Sequence, residues 1–248
     1  MAGFLSTFKK GEKKYRGRKM VKGPSRHLRR YAVPRAVKLP RKSLPWAVKP
    51  GPGPHPASFS LPLAVLLRDQ LGLTSTLAET KKVLAERKVL VDGRVRTEHR
   101  FPVGLLDVVT LPSLGASFLI SVDRNGRLLP LPVKEASSKL CRVEGKHTVK
   151  GGKIQLSLHD GKTVVGDYRD FRVGDAVRIS LPDYRILERI PLQPGSWALV
   201  RGGKNVGRIG RIVSVEGRRV ELEADGERFQ TLLEYVIPTG DRPLEVKA

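Results

Sequence analysis

The chain has 248 residues, 40% of them hydrophobic, so it can bury real cores and form one to three small domains. Its 47 Lys and Arg residues against 24 Asp and Glu give a formal net charge of +23, which predicts a polyanionic partner because the charge would otherwise repel itself without compensation. The lone Cys141 excludes an internal disulfide, the five His residues lack the spacing of a zinc site, and the apolar runs are too short to span a bilayer. Because the N-terminus has no secretory hydrophobic stretch, we expect a cytoplasmic protein, with no cofactor and no membrane partner.

Most of the excess charge lies at the N-terminus, where residues 1–50 contain 16 Lys or Arg and a single acidic residue. Residues 1–22 are rich in Lys and Gly with few apolar anchors, so we expect a basic disordered extension. Residues 23–58 form an arm whose frequent Pro keeps the chain extended, and it also carries clustered Arg and the rings of Tyr31 and Trp46. Such an arm can follow a phosphate backbone and stack on bases, although a flexible solubilising tail is the alternative.

A short apolar helix is predicted directly after the arm. Ser60 can cap it, and Pro62 can occupy its first turn, where a missing amide donor costs little. Gly72 would end it in a left-handed conformation. The helix should serve packing only, through a buried stripe formed by Leu63, Leu66, Leu67 and Leu71.

A basic helix comes next. Thr76 and Glu79 form a capping box, which predicts a helix that begins near Leu77 because the hydroxyl and the carboxylate satisfy free amide donors. The buried arc of this helix is expected to contain Leu77, Thr80, Val83, Leu84 and the stem of Arg87. A second face carries lysines beside small residues and can approach phosphates closely; it is formed by Ala78, Lys81, Ala85 and Lys88.

A hairpin and a strand complete this unit. Asp92 and Gly93 tolerate the positive φ angles of a two-residue turn, so residues 89–91 and 94–96 should pair. Residues 105–111 are rich in Leu and Val and suit a covered strand.

From Ala116 onward, short apolar segments recur about every ten residues, which predicts a small β barrel or sandwich. Within this region Gly174 and Asp175 precede an alternating strand, and we expect its Val173, Val177 and Ile179 to face inward. Cys141 is expected to be a buried small side chain. A purely structural spacer is the alternative, since few basic residues converge there.

Residues 197–217 have the arrangement of the KOW motif, a strand-loop-strand element, with Val200, Gly203, Gly207, Gly210 and Ile212 in its order. Glycines allow the loop to fold tightly and lie close to a backbone. The polar side chains around the loop suit RNA phosphates, although a structural hairpin with solvated charges is the alternative; they are Arg201, Lys204, Asn205, Arg208 and Arg211. A nucleotide-binding phosphate loop is excluded, because its required Gly and Ser or Thr are replaced by Ala198 and Asn205.

These three regions together resemble a known family. The basic helix and hairpin are similar to the small RNA-binding module named after ribosomal small-subunit protein four. The arm sequence GPSRHLRR at residues 23–30, followed by KPGPGPH ending at His55, resembles the N-terminal signature of that protein in its eukaryotic and archaeal type. Because the chain ends at Ala248 without the longer tail typical of eukaryotic members, an archaeal source is expected.

The resemblance implies a multidomain α+β fold: a basic extended arm, a small α/β RNA-binding module, and two small β-barrel domains, the last SH3-like with a KOW motif. The expected ranges are 1–22 for the basic extension, 23–58 for the arm, 59–114 for the RNA-binding module, 115–192 for the central barrel and 193–248 for the KOW barrel with the C-terminus.

The implied function is that of a structural constituent of the archaeal small ribosomal subunit, ribosome-bound and without enzymatic activity. Its partners would be small-subunit ribosomal RNA and neighbouring small-subunit proteins, with no small-molecule substrate. The arm, the module and the KOW loop would contact RNA largely through phosphates and shape. Besides the KOW residues above, the expected RNA-binding residues are Arg26, His27, Arg29, Arg30, Lys81, Lys82, Lys88, Arg94 and Arg96.

Three alternatives remain open from the sequence. The module cations could be the solvated face of an amphipathic helix. An RNA-modifying enzyme could carry the same module, but it would need a catalytic cleft or a cofactor loop, and the sequence contains neither G-x-G-x-x-G nor a Cys/His cluster. A KOW-type translation or transcription factor would explain the C-terminal region but not the arm.

Overall fold

The computed structural model describes residues 27–40, 44–134 and 136–241. The predicted basic extension and Arg26 lie outside the described residues. The described chain is mostly β, with few helices. The described residues form three five-stranded sheets, a two-stranded ladder in the arm and one further short ladder.

The arm is extended, as expected, and it packs against the rest of the protein. Strands β1 (Leu28–Arg29) and β2 (Trp46–Ala47) pair antiparallel, with Arg29 opposite Trp46. A 3-10 turn at Arg30–Ala32 follows β1. Ala36 is buried in the largest apolar core, so this part of the arm is anchored to the folded body.

The predicted apolar helix is shorter than expected. Strand β3 (Leu61–Pro62) precedes helix α1 (Leu63–Val65), which continues as a π-helical turn over Leu66–Gln70. Ser60 does not cap it: Pro62 occupies the cap position, because pairing of β3 with a later strand keeps the chain extended up to that point. Gly72 has a φ of +65° and confirms the left-handed end.

The capping box of the basic helix is confirmed in its main part. Helix α2 (Leu77–Ala85) begins where predicted, and the Glu79 amide donates to Thr76 Oγ1 over 3.2 Å. The Glu79 carboxylate accepts from the amide of Ser75, at 2.8 Å, instead of from that of Thr76. The prediction for Arg87 was wrong: its φ of +58° ends the helix and leaves the side chain exposed instead of on the buried arc.

The predicted hairpin is present, with positive φ angles of +52° at Asp92 and +75° at Gly93. The predicted strand at 105–111 is shorter because Leu106 has a φ of +64° and turns the chain before the strand begins. The strands of this region are β4 (Leu90–Val91), β5 (Arg94–Val95), β6 (Pro102–Val103), β7 (Val108–Leu111), β8 (Ala116–Val122) and β9 (Leu128–Val133). Strand β6 pairs with β3, and the others form the first sheet in the order β5-β4-β7-β8-β9.

The first sheet crosses residue 114, where we placed a domain boundary. The connection from β7 to β8 is a 3-10 turn at Pro112–Leu114, ended by a left-handed Gly115. Because this turn is tight, β8 pairs directly with β7 and extends the module's sheet.

The second sheet has the order β12-β11-β10-β13-β14. Cys141, Val177 and Ile179 are buried in its core, as predicted. Val173 is 52% exposed, contrary to expectation, because Gly174 turns the chain before the strand begins. Its strands are β10 (Ser138–Thr148), β11 (Ile154–Leu158), β12 (Thr163–Gly166), β13 (Ala176–Ser180) and β14 (Ile186–Ile190).

The third sheet has the order β18-β17-β16-β15-β19. Its strands are β15 (Trp197–Val200), β16 (Ile209–Glu216), β17 (Arg219–Ala224), β18 (Glu227–Leu232) and β19 (Val236–Gly240). The KOW loop is the connection between β15 and β16. Four residues of the second and third sheets join the largest core, so the three sheets share an apolar centre; these are Ala176, Ile190, Leu199 and Ile237.

Candidate nucleic-acid interface

Helix α2 presents a basic, exposed face. Thr80 and Leu84 bury its opposite side against the core. The exposed residues of the helix include Ala78, Lys81, Lys82 and Ala85. Lys88, predicted on the same helical face, is exposed but lies beyond the helix, because α2 ends at Ala85 and the positive φ of Arg87 turns the chain. Because the alanine side chains are short, a phosphate backbone can approach the helix and its lysine ammonium groups closely. Two exposed acids belong to this helix and its end: Glu79 in the first turn, and Glu86, whose carboxylate lies 2.5 Å from the ammonium of Lys88.

The two hairpin arginines differ in position. Arg94 is exposed, with its guanidinium carbon 4.7 Å from the centre of the Tyr184 ring. Arg96 is half-buried, 4.3 Å from the centre of the Phe101 ring, and its buried Nε has no hydrogen-bond partner among the described residues. Arg94 can therefore reach a phosphate, whereas Arg96 is partly engaged in packing.

The hairpin turn itself is covered by the second sheet. The Tyr184 hydroxyl donates to the carbonyl of Asp92 over 3.1 Å. A Cβ added at Gly93 would come within 2.9 Å of the Pro182 Cβ, so glycine is needed there for close approach as well as for its φ. These contacts fix the hairpin, and with it Arg94, relative to the second sheet.

The arm places aromatic and basic side chains together. The guanidinium carbon of Arg29 lies 5.9 Å from the ring centre of Tyr31 and 5.8 Å from that of Trp46. His27 and Trp46 have ring centres 5.5 Å apart. Arg30 instead donates to the carbonyl of Pro40, so it holds the arm in shape.

The KOW loop combines exposed and engaged polar groups. Lys204 and Arg211 are exposed, although Arg211 Nε donates to the carbonyl of Gly195 over 2.8 Å. Arg201 donates to the carbonyl of Glu234 over 3.0 Å and to the Glu144 carboxylate over 2.6 Å.

Arg208 and Asn205 are half-buried in the same loop. Arg208 lies 3.4 Å from the Glu227 carboxylate and stacks on Phe229, while Asn205 reaches the carbonyl of Gln230 at 3.5 Å. The half-buried members of the KOW set therefore stabilise the loop, which leaves Lys204 and Arg211 as its outward cations.

The KOW glycines pack against this chain itself. A Cβ added at Gly203 would lie 3.3 Å from the Tyr235 ring. A Cβ added at Gly207 would lie 2.5 Å from the backbone carbonyl of Asp123, in the turn between β8 and β9. The loop thus docks onto the first sheet, and Arg124 in that turn bonds Asp225 of the third sheet over 3.1 Å.

A buried ion cluster, which the sequence analysis missed, joins the first two sheets. The Lys139 side chain is fully buried, and its ammonium donates to three carboxylates: Asp92 at 2.8 Å, Asp107 at 2.5 Å and Asp160 at 3.0 Å. Lys162 adds a second ammonium, 2.7 Å from Asp92. Asp92 and Asp107 come from the first sheet and the others from the second, so these charges fasten the two together.

The arm and the third sheet are tied to the same region. His55 in the arm lies 2.9 Å from Asp107 Oδ2. Arg142 lies three residues after Lys139 on β10, and its Nε donates to the carbonyl of Val236 over 3.0 Å. The predicted RNA-contacting regions are thereby held in fixed relation to one another.

The opposite charges in the cluster outweigh the effect of burial on its protonation states. Burial alone would lower the pKa of Lys139, but Asp107, Asp92 and Asp160 raise it well above its usual value. Burial would raise the pKa of Asp107, but Lys139 and His55 hold it far below its usual range. Lys139 and Asp107 therefore stay charged near neutral pH.

His159, in contrast, is held in its neutral form, because it is buried and its ring nitrogens meet backbone groups instead of a carboxylate. Its Nδ1 accepts the backbone amide of Arg142 over 3.2 Å, and its Nε2 lies 3.1 Å from the Leu105 carbonyl, so the ring carries one proton, on Nε2. Burial, with help from Lys139, lowers the pKa of His159 to about 4.

The described part of the chain contains neither a candidate metal site nor a candidate membrane helix. Among the described residues there is no group of three or more His, Cys, Asp or Glu side chains that could hold a metal ion. None of the helices in this part of the chain is both long enough and apolar enough to cross a bilayer.

Comparison with known proteins identifies the family. Residues 22–58 match the RS4NT domain, residues 114–186 match ribosomal family S4e, and residues 194–223 match the KOW motif. The small ribosomal subunit protein eS4 of Methanocaldococcus jannaschii is 42% identical over 91% of this chain and 98% of its own length. That of Desulfurococcus amylolyticus is 43% identical over 90% and 95%. The crystal structure of the 30S ribosomal protein S4e from Thermoplasma acidophilum superposes with a TM-score of 0.65 at 33% identity, covering 73% of this chain and 95% of that one. The chain therefore belongs to the S4e family of ribosomal proteins.

Proposed function

We propose that this protein is a structural constituent of the archaeal small ribosomal subunit and binds small-subunit ribosomal RNA. The observation that carries the proposal is an exposed basic surface, formed by Lys81 and Lys82 on α2 with the short side chains of Ala78 and Ala85, and continued by Lys88 just beyond the helix. Such a surface suits a phosphate backbone better than a small substrate.

RNA contact is divided between two kinds of predicted site residue. The exposed group makes direct phosphate contacts: His27, Arg29, Lys81, Lys82, Lys88, Arg94, Lys204 and Arg211. The half-buried group shapes the surface that RNA meets: Arg30, Arg96, Arg201, Asn205 and Arg208. Recognition then depends mainly on the fixed geometry of three surfaces, since the buried ion cluster, His55 and Arg142 hold them together.

The domain ranges and barrel shapes belong to this proposal. The second and third sheets curl into small barrels, the last SH3-like, and irregular pairing supports this because bulges bend strands. Register shifts occur in β10, β13, β15 and β16. The arm, module, central and KOW ranges remain predictions, and the module's sheet continues through β8 and β9 into the central range. Neighbouring small-subunit proteins are the other partners, on a cytoplasmic ribosome.

Membership of the S4e family favours this function over an RNA-modifying enzyme. It also accounts for the arm, which a free KOW-type factor does not need.

Sedimentation with crosslinking tests the proposal. Tagged protein from lysate should migrate with small subunits on a sucrose gradient, even after a high-salt wash. Sequencing of crosslinked RNA should place residues 81–96 and 201–208 on small-subunit ribosomal RNA. Migration at the top of the gradient, with only transient RNA crosslinks, would contradict the structural role and favour an enzyme or a factor.

A further inference from the structure

The arm carries two large aromatic rings that face solvent. Tyr31 is 80% exposed and Trp46 is 52% exposed, whereas the large side chains of the core are fully buried. Exposing such rings costs hydrophobic free energy, so an exposed pair fixed in one place is typical of a binding surface.

The rings are ordered by the β1-β2 ladder. Arg29 and Trp46 are paired residues, which puts their side chains on the same face of the ladder. The Arg29 guanidinium bridges the rings, and its Nη1 donates to the Tyr31 hydroxyl over 2.6 Å. His27 approaches the same Trp46 ring. We call His27, Arg29, Tyr31 and Trp46 the arm platform.

Trp46 also forms a wall of a cleft of about 430 Å³ between the arm and α2. The other lining residues include Lys49, Arg100 and Arg68, whose guanidinium also bonds Asp69 at 2.8 Å, and among the described residues that line the cleft none is acidic. A ring wall beside basic groups offers both a stacking face and partners for phosphate.

The charge around the arm platform narrows the class of partner. Residues 13–68 contain 15 Lys or Arg and no Asp or Glu at all. An apolar protein surface would gain nothing from this charge, whereas a single-stranded nucleic acid satisfies both the rings and the cations.

We propose that the arm platform binds unpaired bases of RNA, with one base stacked on Trp46 and another on Tyr31, while Arg29 and the cleft cations contact the adjoining phosphates. The inference rests on the proposed function and deepens it, since it adds recognition of unpaired bases to phosphate contact. It assigns the platform to single-stranded RNA, because bases within a duplex have no free face to offer.

Fluorescence tests the stack directly. A Trp197→Phe protein leaves Trp46 as the sole tryptophan. Single-stranded RNA of about ten nucleotides should quench its emission, whereas an abasic strand of equal length should bind through phosphates without quenching. Equal quenching by the abasic strand would overturn the proposal.

Affinity measurements separate stacking from charge. Trp46→Ala and Tyr31→Ala should each weaken binding of the base-containing strand about tenfold and leave binding of the abasic strand unchanged. Trp46→Phe and Tyr31→Phe should retain most of the affinity. Leu114→Ala is the matched control, because Leu114 is an apolar side chain that is 60% exposed outside the arm. Circular dichroism melting checks that each variant is folded.

The outcomes distinguish the inference from the function on which it rests. If both strands bind the alanine variants as they bind the parent, the platform is overturned while RNA binding stands. If neither strand binds the parent protein, the proposed RNA binding is contradicted, and the inference that rests on it is overturned as well. Ultraviolet crosslinking in assembled subunits should join Trp46 or Tyr31 to a nucleotide, and a crosslink to a ribosomal protein would overturn the proposal in favour of a protein partner.

Discussion

The ammonium group of Lys88 lies just beyond α2, with its side chain 49% exposed, and faces one carboxylate. The ammonium of Lys139 is fully buried and faces three. Both belong to a chain with a large positive excess, yet only the first can meet an external polyanion. Burial, and not residue type, decides which cations are available to RNA and which hold the sheets together.

The two environments differ in energy as well as in access. An exposed ion pair contributes about 0 to 1 kcal/mol to stability, because water screens it. Removal of one member of a buried group leaves the remaining charges unpaired, which costs about 3 to 5 kcal/mol. Intermediate burial should give an intermediate cost, so the comparison can be tested along a series of cations.

Replacing Lys139 should have the largest effect. Lys139→Ala leaves three buried carboxylates without their shared cation, and we expect it to lower the free energy of unfolding by about 3 to 5 kcal/mol. Lys139→Met keeps most of the volume and should be nearly as destabilising, because the lost charge and not the cavity dominates. Urea unfolding measures both, with Lys88→Ala as the exposed control. A loss below about 1 kcal/mol for both Lys139 variants would contradict the proposed role of the cluster.

The pH dependence should reveal the neutral His159. Because its folded pKa is lowered to about 4 from an ordinary value of 6.5, its contribution is fully present above about pH 6.5 and is lost as the pH falls towards 4. A shift of this size corresponds to about 3 kcal/mol. Asp107, with a depressed pKa, loses its contribution only below the ordinary range of a carboxyl, so the two effects separate.

Urea unfolding between about pH 7.5 and about pH 4.5 measures the His159 contribution. His159→Gln should remove most of the slope in this window, whereas His147→Gln, an exposed control, should leave it intact. Parallel pH profiles for the parent and His159→Gln would refute the assignment.

Lys162 is the intermediate case. Its side chain is 24% exposed, its ammonium lies 2.7 Å from Asp92 and 3.1 Å from Asp160, and it stacks on Tyr184 at 4.1 Å. Lys162→Ala should cost about 1 to 2 kcal/mol, since Lys139 still neutralises both carboxylates. The exposed Lys153 on the same sheet gives a matched control. A cost equal to that of Lys139→Ala would show that burial does not rank these cations.

Local patterns made much of the module predictable from the sequence. The Thr76 capping box, the Asp92-Gly93 turn and the KOW strand-loop-strand each depend on residues within a few positions of one another. Where pairing is distant, prediction failed: Ser60 is no cap because β3 pairs with β6, some forty residues later in the chain.

The Lys139 cluster shows the same limit for the candidate site. Its three carboxylates are 47, 32 and 21 residues from Lys139, and no periodic pattern connects them. Asp107 lies within the predicted covered strand at residues 105–111, and nothing in its neighbourhood marks it as a partner of Lys139. Exposed Lys and Arg were easier to predict because helical periodicity places them on one face.

Neutralising the exposed cations should have the smallest effect on stability and a large effect on RNA. Lys81→Gln, Lys88→Gln and Arg94→Gln together remove exposed charges, so the free energy of unfolding should change by less than about 1 kcal/mol. Each lost phosphate contact lowers the salt dependence of RNA binding by about 0.7 to 0.9, so three contacts should lower it by about 2 to 3. The control triple Lys150→Gln, Lys153→Gln and Arg178→Gln removes the same charge from the β10-β11 turn and from β13. If both triples lower the salt slope equally, net charge and not the α2 face governs RNA binding. If only the first triple lowers it, Lys81, Lys88 and Arg94 contact the RNA directly, whereas buried cations such as Lys139 do not.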